Sequence, residues 1–197
     1  MTFLRWIAGL VLFFQLPVPL FWFVVHPSIG FWRRHQTAAY VTGVLVSWPA
    51  VTLSLIVFRH KLFLRNAAPA WRIAVGIALI VFEAWIFWRV KNDLGTARLV
   101  GKTELSGGGE VVSRGIYGRM RHPRYAGSFI AILGACFLAG TRLLWMVAGV
   151  WAVLTLIAIA MEEREMRARF GESYVRYCSR VPRFIPFGKN RDSGGME

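Results

Sequence analysis

Apolar residues in this chain come in long blocks, and the breaks between blocks are short and basic. The first block runs from about Leu4 to Val25, with Arg5 and Gln15 as its only polar residues. The second runs from about Ala38 to Phe58 and the third from about Ile73 to Trp88. Two further blocks, Ala126 to Gly140 and Leu143 to Met161, predict a tight helical hairpin around Thr141-Arg142. Four or five such blocks approach the roughly 20 residues that cross a hydrocarbon core. The pattern predicts an all-α integral membrane protein with about five transmembrane helices, the fourth the shortest. A signal peptide is the rival reading of the first block. Its length, Pro17, Pro19 and its bulky end favour a retained helix.

Periodicity changes after the hairpin. Met166, Phe170, Tyr174, Tyr177 and Val181 are spaced by four, four, three and four. That spacing lays one apolar stripe along a tail helix whose other faces are charged. Gly171 is placed to break or bend it, and Val181-Pro182-Arg183-Phe184-Ile185-Pro186 reads as extended chain able to close over a site. The chain therefore divides into three transmembrane helices over 1–88, a polar, chemistry-bearing half over 89–187, and a flexible tail over 188–197.

Composition supports the membrane reading, with 56% hydrophobic and 17% charged residues. The net charge of +14 raises the question of nucleic acid, which its distribution answers. With five helices, Arg33, Arg34, the eight basic residues from Arg89 to Arg124 and the eight from Arg164 to Arg191 share one face, 18 in all. The other face carries only six: Arg5, Arg59, Lys61, Arg65, Arg72 and Arg142. The positive-inside rule puts the richer face in the cytoplasm of a plasma or inner membrane, against anionic phospholipids, with no nucleic-acid partner. Trp22, Trp32, Trp48, Trp71, Trp85 and Trp88 read as interfacial anchors. Glu83, an acid inside the third block, needs a partner, a cavity or access to water. Cys136 and Cys178 read as buried thiols, and the four histidines make no zinc pattern.

The remaining polar chemistry falls in two clusters. Gly95, Gly101, Gly107, Gly108, Gly109 and Gly115 punctuate the loop before Tyr117, with no preceding strand to make them a dinucleotide fingerprint. Arg121-His122-Pro123-Arg124-Tyr125 follows, with Pro123 suited to a first helical turn and His122 to its positive end. The second cluster is Glu162-Glu163, returned by the hairpin toward the first.

Gly115-Ile116-Tyr117, Arg121-His122-Pro123-Arg124-Tyr125 and Gly127 together resemble the G-x-Y-x-x-x-R-H-P-x-Y-x-G motif of isoprenylcysteine carboxyl methyltransferases and related phospholipid methyltransferases. Glu162-Glu163-Arg164-Glu165-Met166, Phe170-Gly171, Tyr174, Tyr177 and the Val181 to Pro186 segment resemble the second half of that signature, and Asp93-Leu94-Gly95 the stretch before it. Thr96-Ala97-Arg98 departs from the family's usual Trp-Ser-type step. The resemblance implies a membrane enzyme that binds S-adenosylmethionine at the cytoplasmic face, between the Arg-His-Pro loop and the tail helix. A hydrophobic acceptor would enter laterally from the lipid.

On this reading Gly115, Tyr117, Arg121, His122, Pro123, Tyr125, Glu162, Glu163 and Tyr174 form the cofactor site. Arg121 and His122 would hold the carboxylate, the glutamates the ribose or amino group, and the tyrosines the adenine or methyl group. His122 and Tyr125, with Arg180 and Arg183 orienting an anionic acceptor, would carry catalysis. The closest expected reaction is isoprenylcysteine carboxyl O-methylation; the lack of a dedicated general base favours a carboxylate or a readily ionised thiol as acceptor. Phospholipid N-methylation or small-thiol S-methylation is the alternative. An NADPH-dependent membrane reductase, like the sterol reductases, and a non-catalytic membrane protein are the more distant ones. Oligomeric state is not legible.

Overall fold

The computed structural model describes residues 3–95 and 111–184, and every regular element among them is helical. The expected flexible tail over 188–197, the glycines at 101 and 107–109, the Thr96-Ala97-Arg98 step and Ile185-Pro186 lie outside the described residues. We number the helices α1 (Phe3–Gln15), α2 (Pro17–Val25), α3 (Ile29–Arg34), α4 (Gln36–Val57), α5 (Arg59–Leu62), α6 (Ala70–Leu94), α7 (Pro123–Ala139), α8 (Arg142–Phe170) and α9 (Glu172–Arg180).

All five apolar blocks are helical. Three stretches are long and apolar enough to cross a membrane: Phe3–Phe23, Ala70–Leu94 and Arg142–Phe170. The second and fourth blocks provide shorter apolar helices, Val41–Val57 and Pro123–Ala139. Large hydrophobic side chains such as Leu45, Val81, Trp85, Val150 and Leu156 are exposed along these helices, which suits lipid rather than water.

The first block breaks between α1 and α2, and two prolines explain the break. Pro19 has no amide hydrogen to offer the Gln15 carbonyl one turn before it. The indole of Trp151, on α8, donates to that carbonyl instead at 3.2 Å. A lost backbone bond at membrane depth is thereby replaced from a neighbouring helix.

Helices α1, α6, α7 and α8 enclose the main core, with Ala8, Leu12, Ile132, Ala135, Leu138, Leu144 and Trp151 buried at its centre. Helices α6 and α7 approach closely at two glycines. A Cβ on Gly76 would lie 2.9 Å from the Gly134 carbonyl oxygen, and one on Gly134 would lie 3.0 Å from that of Gly76. Small residues at such a crossing let backbones meet where the membrane gives no hydrophobic drive to association.

The α7–α8 hairpin is as tight as its sequence predicts, and it is pinned at its tip. Leu64 N–H donates to the Ala139 carbonyl at 2.8 Å, and the Thr141 hydroxyl donates to that of Lys61 at 2.6 Å. The Arg72 guanidinium caps the end of α7 through the carbonyls of Cys136 (2.8 Å) and Gly140 (3.1 Å), a cation where the helix dipole is negative. The opposite end of the bundle gathers α3, the residues before α7 and the tail. An ion pair joins Arg33 to Glu165 there.

Candidate functional site

Asp93, in the last turn of α6, starts the site. Its carboxylate accepts the Ile116 N–H at 2.7 Å and anchors the 3-10 turn Gly115–Gly118. Gly115 sits at φ +59, and a Cβ there would run into the Asp93 carboxylate. Glycine is thus required twice over, by conformation and by space.

The chain then reaches the Arg-His-Pro segment. Pro123 opens α7, and His122 caps it in a non-helical conformation. The backbone beside them pairs with the tail: Arg121 N–H donates to the Pro182 carbonyl at 2.9 Å, and His122 N–H to that of Arg183 at 3.0 Å. The extended segment after Val181 therefore does close onto the loop, by main-chain bonds that Pro182 and Arg183 accept without using their own amides.

Glu163 is the hub beneath this junction. It is 1% exposed. One carboxylate oxygen lies 3.1 Å from His122 Nε2 and 3.2 Å from the Arg121 guanidinium, and it accepts Arg183 Nε at 3.2 Å. The other accepts Arg183 Nη2 at 2.7 Å, with Arg167 of the same helix 3.7 Å away. The hydrogen bond to Glu163 holds the Arg183 guanidinium above its usual basicity. Arg121 and His122 are thus bonded to Glu163 itself, rather than standing across a gap from it.

Glu162 has a different setting. Its carboxylate accepts the Tyr125 hydroxyl at 2.9 Å and faces a cavity of about 700 Å³. The body of that cavity is apolar, lined by α1, α2, α4 and α6 through side chains such as Leu10, Phe14, Phe21, Trp48 and Phe87. Its polar side is formed by Glu162, Tyr117, Arg121, His122 and Tyr125. Volume and lining both suit a small-molecule site. Two residues of the lining have buried polar atoms without partners among the described residues: Arg121 at Nε and His26 at both ring nitrogens.

The expected site residues therefore separate. Tyr117, Arg121, His122, Tyr125 and Glu162 line the cavity; Gly115, Pro123, Glu163, Arg180 and Arg183 lie outside its lining. Tyr174 also lies outside, in the tail core with Tyr177, Val181, Met166 and Phe170. That core realises the predicted stripe, with Gly171 (φ +53) separating α8 from α9. Burial raises the pKa of both Tyr174 and Tyr177, and the Tyr177 hydroxyl donates to the Tyr117 carbonyl at 2.7 Å. Arg180 is exposed at the end of α9.

Other residues join the site that the sequence reading did not assign to it. Trp22 and Trp48 line the cavity, whereas Trp71, Trp85 and Trp88 are exposed. Glu83 lines the same cavity, within electrostatic reach of Arg124. His26 was invisible because a lone histidine after an apolar run has no spacing to betray it.

The family model described as Phospholipid methyltransferase matches residues 71–173, just over half of the chain. The chain belongs to the phospholipid methyltransferase family. Its matched part runs from α6 into α9, which includes Asp93, the Arg-His-Pro segment and both glutamates. Methanethiol S-methyltransferase 1 of Bradyrhizobium diazoefficiens is 33% identical over 75 residues, covering 38% of this chain and 26% of that protein. Methanethiol S-methyltransferase of Crocosphaera subtropica is 35% identical over 71 residues, or 36% and 27% of the two chains. Protein-S-isoprenylcysteine O-methyltransferase of Schizosaccharomyces pombe is 38% identical over 79 residues, or 39% and 33%. The matches thus span a third or less of each relative's length. No solved structure matches the chain.

Proposed function

We propose that this protein transfers a methyl group from S-adenosylmethionine to a hydrophobic acceptor that enters its cavity from the lipid. The observation that carries the reading is the cavity itself, with an apolar body and one wall that bears unmatched polar groups. Those groups suit the donor. Arg121, with a buried and unpartnered Nε, would take the amino acid carboxylate. Glu162 would accept from the ammonium or ribose, and Tyr117 and Tyr125 would flank the adenine. When bound, S-adenosylmethionine supplies an electrophilic methyl group on a cationic sulfonium.

The chain's own contribution is alignment and exclusion of water. In-line displacement gains most from holding the reactants in register. Glu163 serves that purpose indirectly, because it locks His122, Arg121 and the tail into one rigid unit beside the cavity. The apolar walls would keep the acceptor dry, and there the Glu162 carboxylate would meet the positive charge of the donor with little screening. The names of the relatives point to two acceptor chemistries, a thiol and an isoprenylcysteine carboxylate. The excess of basic residues at this end of the bundle supports a cytoplasmic site held against anionic phospholipid.

Calorimetry on the detergent-solubilised protein tests the reading. S-adenosylhomocysteine is expected to bind and NADPH is not. Binding of NADPH alone would make the protein a reductase, and binding of neither would remove the enzymatic reading. Labelled donor incubated with membranes would then identify the acceptor by its product.

A further inference from the structure

His26 occupies a position that structure alone does not justify. It follows α2 in the 3-10 turn His26–Ser28, is 9% exposed, and lines the cavity. Its ring stacks on Trp22, with centroids 5.0 Å apart and planes 26° apart. That contact fixes the orientation but satisfies neither nitrogen, and neither has a partner among the described residues. An unpaired buried polar group carries its full desolvation penalty, so buried histidines are normally hydrogen-bonded.

The charged surroundings come from four sides. Glu162 and Glu165 approach from α8 and Arg33 from α3. The cavity lining adds Arg121, His122, Tyr117, Tyr125 and Arg124, from the loop and α7, and Glu83 from α6. Burial dominates: it lowers the His26 pKa despite the two α8 carboxylates, and Arg33 lowers it further. The imidazole is therefore neutral at physiological pH, with a basic nitrogen free.

We propose that His26 is the proton acceptor for a hydrophobic thiol, so that the cavity S-methylates acceptors of that class. The inference rests on the methyl-transfer reading above. In the first step the S–H bond of the acceptor breaks and its proton passes to an imidazole nitrogen, leaving a thiolate. The thiolate electron pair then forms the new S–CH3 bond. The donor's own S–CH3 bond breaks with its pair retained on sulfur, which leaves as a neutral thioether. Glu162 and Glu165 stabilise the imidazolium until its proton returns to water, so each turnover releases one proton. A neutral thiol also enters the apolar chamber at far less desolvation cost than an ion. A carboxylate arrives ionised and has no use for a base, and an ammonium would add positive charge near Arg33, Arg121 and Arg124.

Dodecanethiol is the probe, with His26→Asn and His26→Phe as variants; the phenylalanine keeps the stack on Trp22. Wild-type protein is expected to methylate the thiol at a rate that is level through neutral pH and falls on the acid side. There the protonated imidazole cannot accept a proton. Both variants should lose about a hundredfold at pH 7, the scale of general-base catalysis. They should recover toward the alkaline side, where a thiol of pKa about 8.5 or above ionises unaided. The loss should shrink with an arenethiol, which is already largely ionised at neutral pH. Independently of turnover, NMR of histidine-labelled protein should show the His26 ring signals shifting when dodecanethiol is added. Bound S-adenosylhomocysteine verifies that each variant is folded.

Folded variants with the wild-type rate and pH profile would overturn the proposal, as would a wild-type protein that methylates a prenylcysteine carboxylate but no thiol. Either result leaves the methyl-transfer reading standing. Failure of the wild type to bind S-adenosylhomocysteine removes that reading first.

Discussion

Glu162 and Glu163 are neighbours in sequence and opposites in setting. On a helix, adjacent residues point about 100° apart, so one glutamate on α8 faces the cavity and the next faces the tail. Glu163 is fully buried and surrounded by Arg121, His122 and Arg183. Glu162 is only partly buried, and its one described hydrogen bond comes from Tyr125. The first is saturated with counter-charges, and the second is held in place with capacity to spare. Saturation is the mark of a group that holds the fold; spare capacity beside a cavity is the mark of one that meets a ligand.

The largest expected effect that would break this contrast is on Glu163. Glu163→Ala removes the buried carboxylate that Arg121 and Arg183 pair with and is expected to cost about 3–5 kcal/mol. The loss would be read by denaturation of the purified protein in detergent. A variant as stable as the parent would mean that the network contributes nothing to folding. S-adenosylhomocysteine affinity should fall with it, because Arg121 and His122 lose their anchor.

The second effect is on the ligand side. Glu162→Gln and His122→Ala are each expected to weaken S-adenosylhomocysteine binding about tenfold or more, equivalent to ~1.4 kcal/mol. For Glu162→Gln the change in stability should stay within about 1 kcal/mol, since a partly exposed carboxylate loses little on neutralisation. Undiminished affinity in both folded variants would show that the site has been misplaced.

Smaller changes sharpen the same picture. Tyr177→Phe removes the bond to the Tyr117 carbonyl and is expected to cost about 1 kcal/mol of stability. A much larger loss would make the tail core, rather than Glu163, the main lock on the loop. Arg167→Ala should change stability by no more than ~0.5 kcal/mol, because that guanidinium is half exposed and 3.7 Å from Glu163. A loss near that of Glu163→Ala would mean the charge cluster is not organised around the loop and tail.

Much of this fold can be read from the chain before any coordinates. The α7–α8 hairpin follows from two apolar blocks flanking Thr141-Arg142. The stripe from Met166 to Val181 announces the tail core, and Gly171 marks where its helix breaks. The Arg-His-Pro motif locates the start of α7, since proline at a first turn loses no hydrogen bond. These features are legible because each depends on neighbours within a few turns. The Asp93–Gly115 lock is less so. The glycine is visible, but the carboxylate that forbids a side chain there comes from the end of another helix.

The roles within the candidate site were harder to foresee. Tyr174 and Tyr125 look alike in sequence, yet one lies in the tail core and the other donates to Glu162 at the cavity wall. Trp22 reads in sequence as an interfacial anchor, and its stack on His26 has no sequence signal. His26 itself stands almost a hundred residues before the motif whose wall it shares.

The sequence by itself determined that the chain is a helical membrane protein with its polar chemistry in two clusters near one end. Apolar block length, stripe spacing and charge asymmetry are local or additive properties, and they survive any packing of the helices. Only the tertiary structure decided which of two adjacent glutamates is bound by cations and which faces a cavity. It also decided that an isolated histidine completes that cavity. Those outcomes depend on the rotation of each helix about its axis, where one residue's difference turns a side chain from one environment into another.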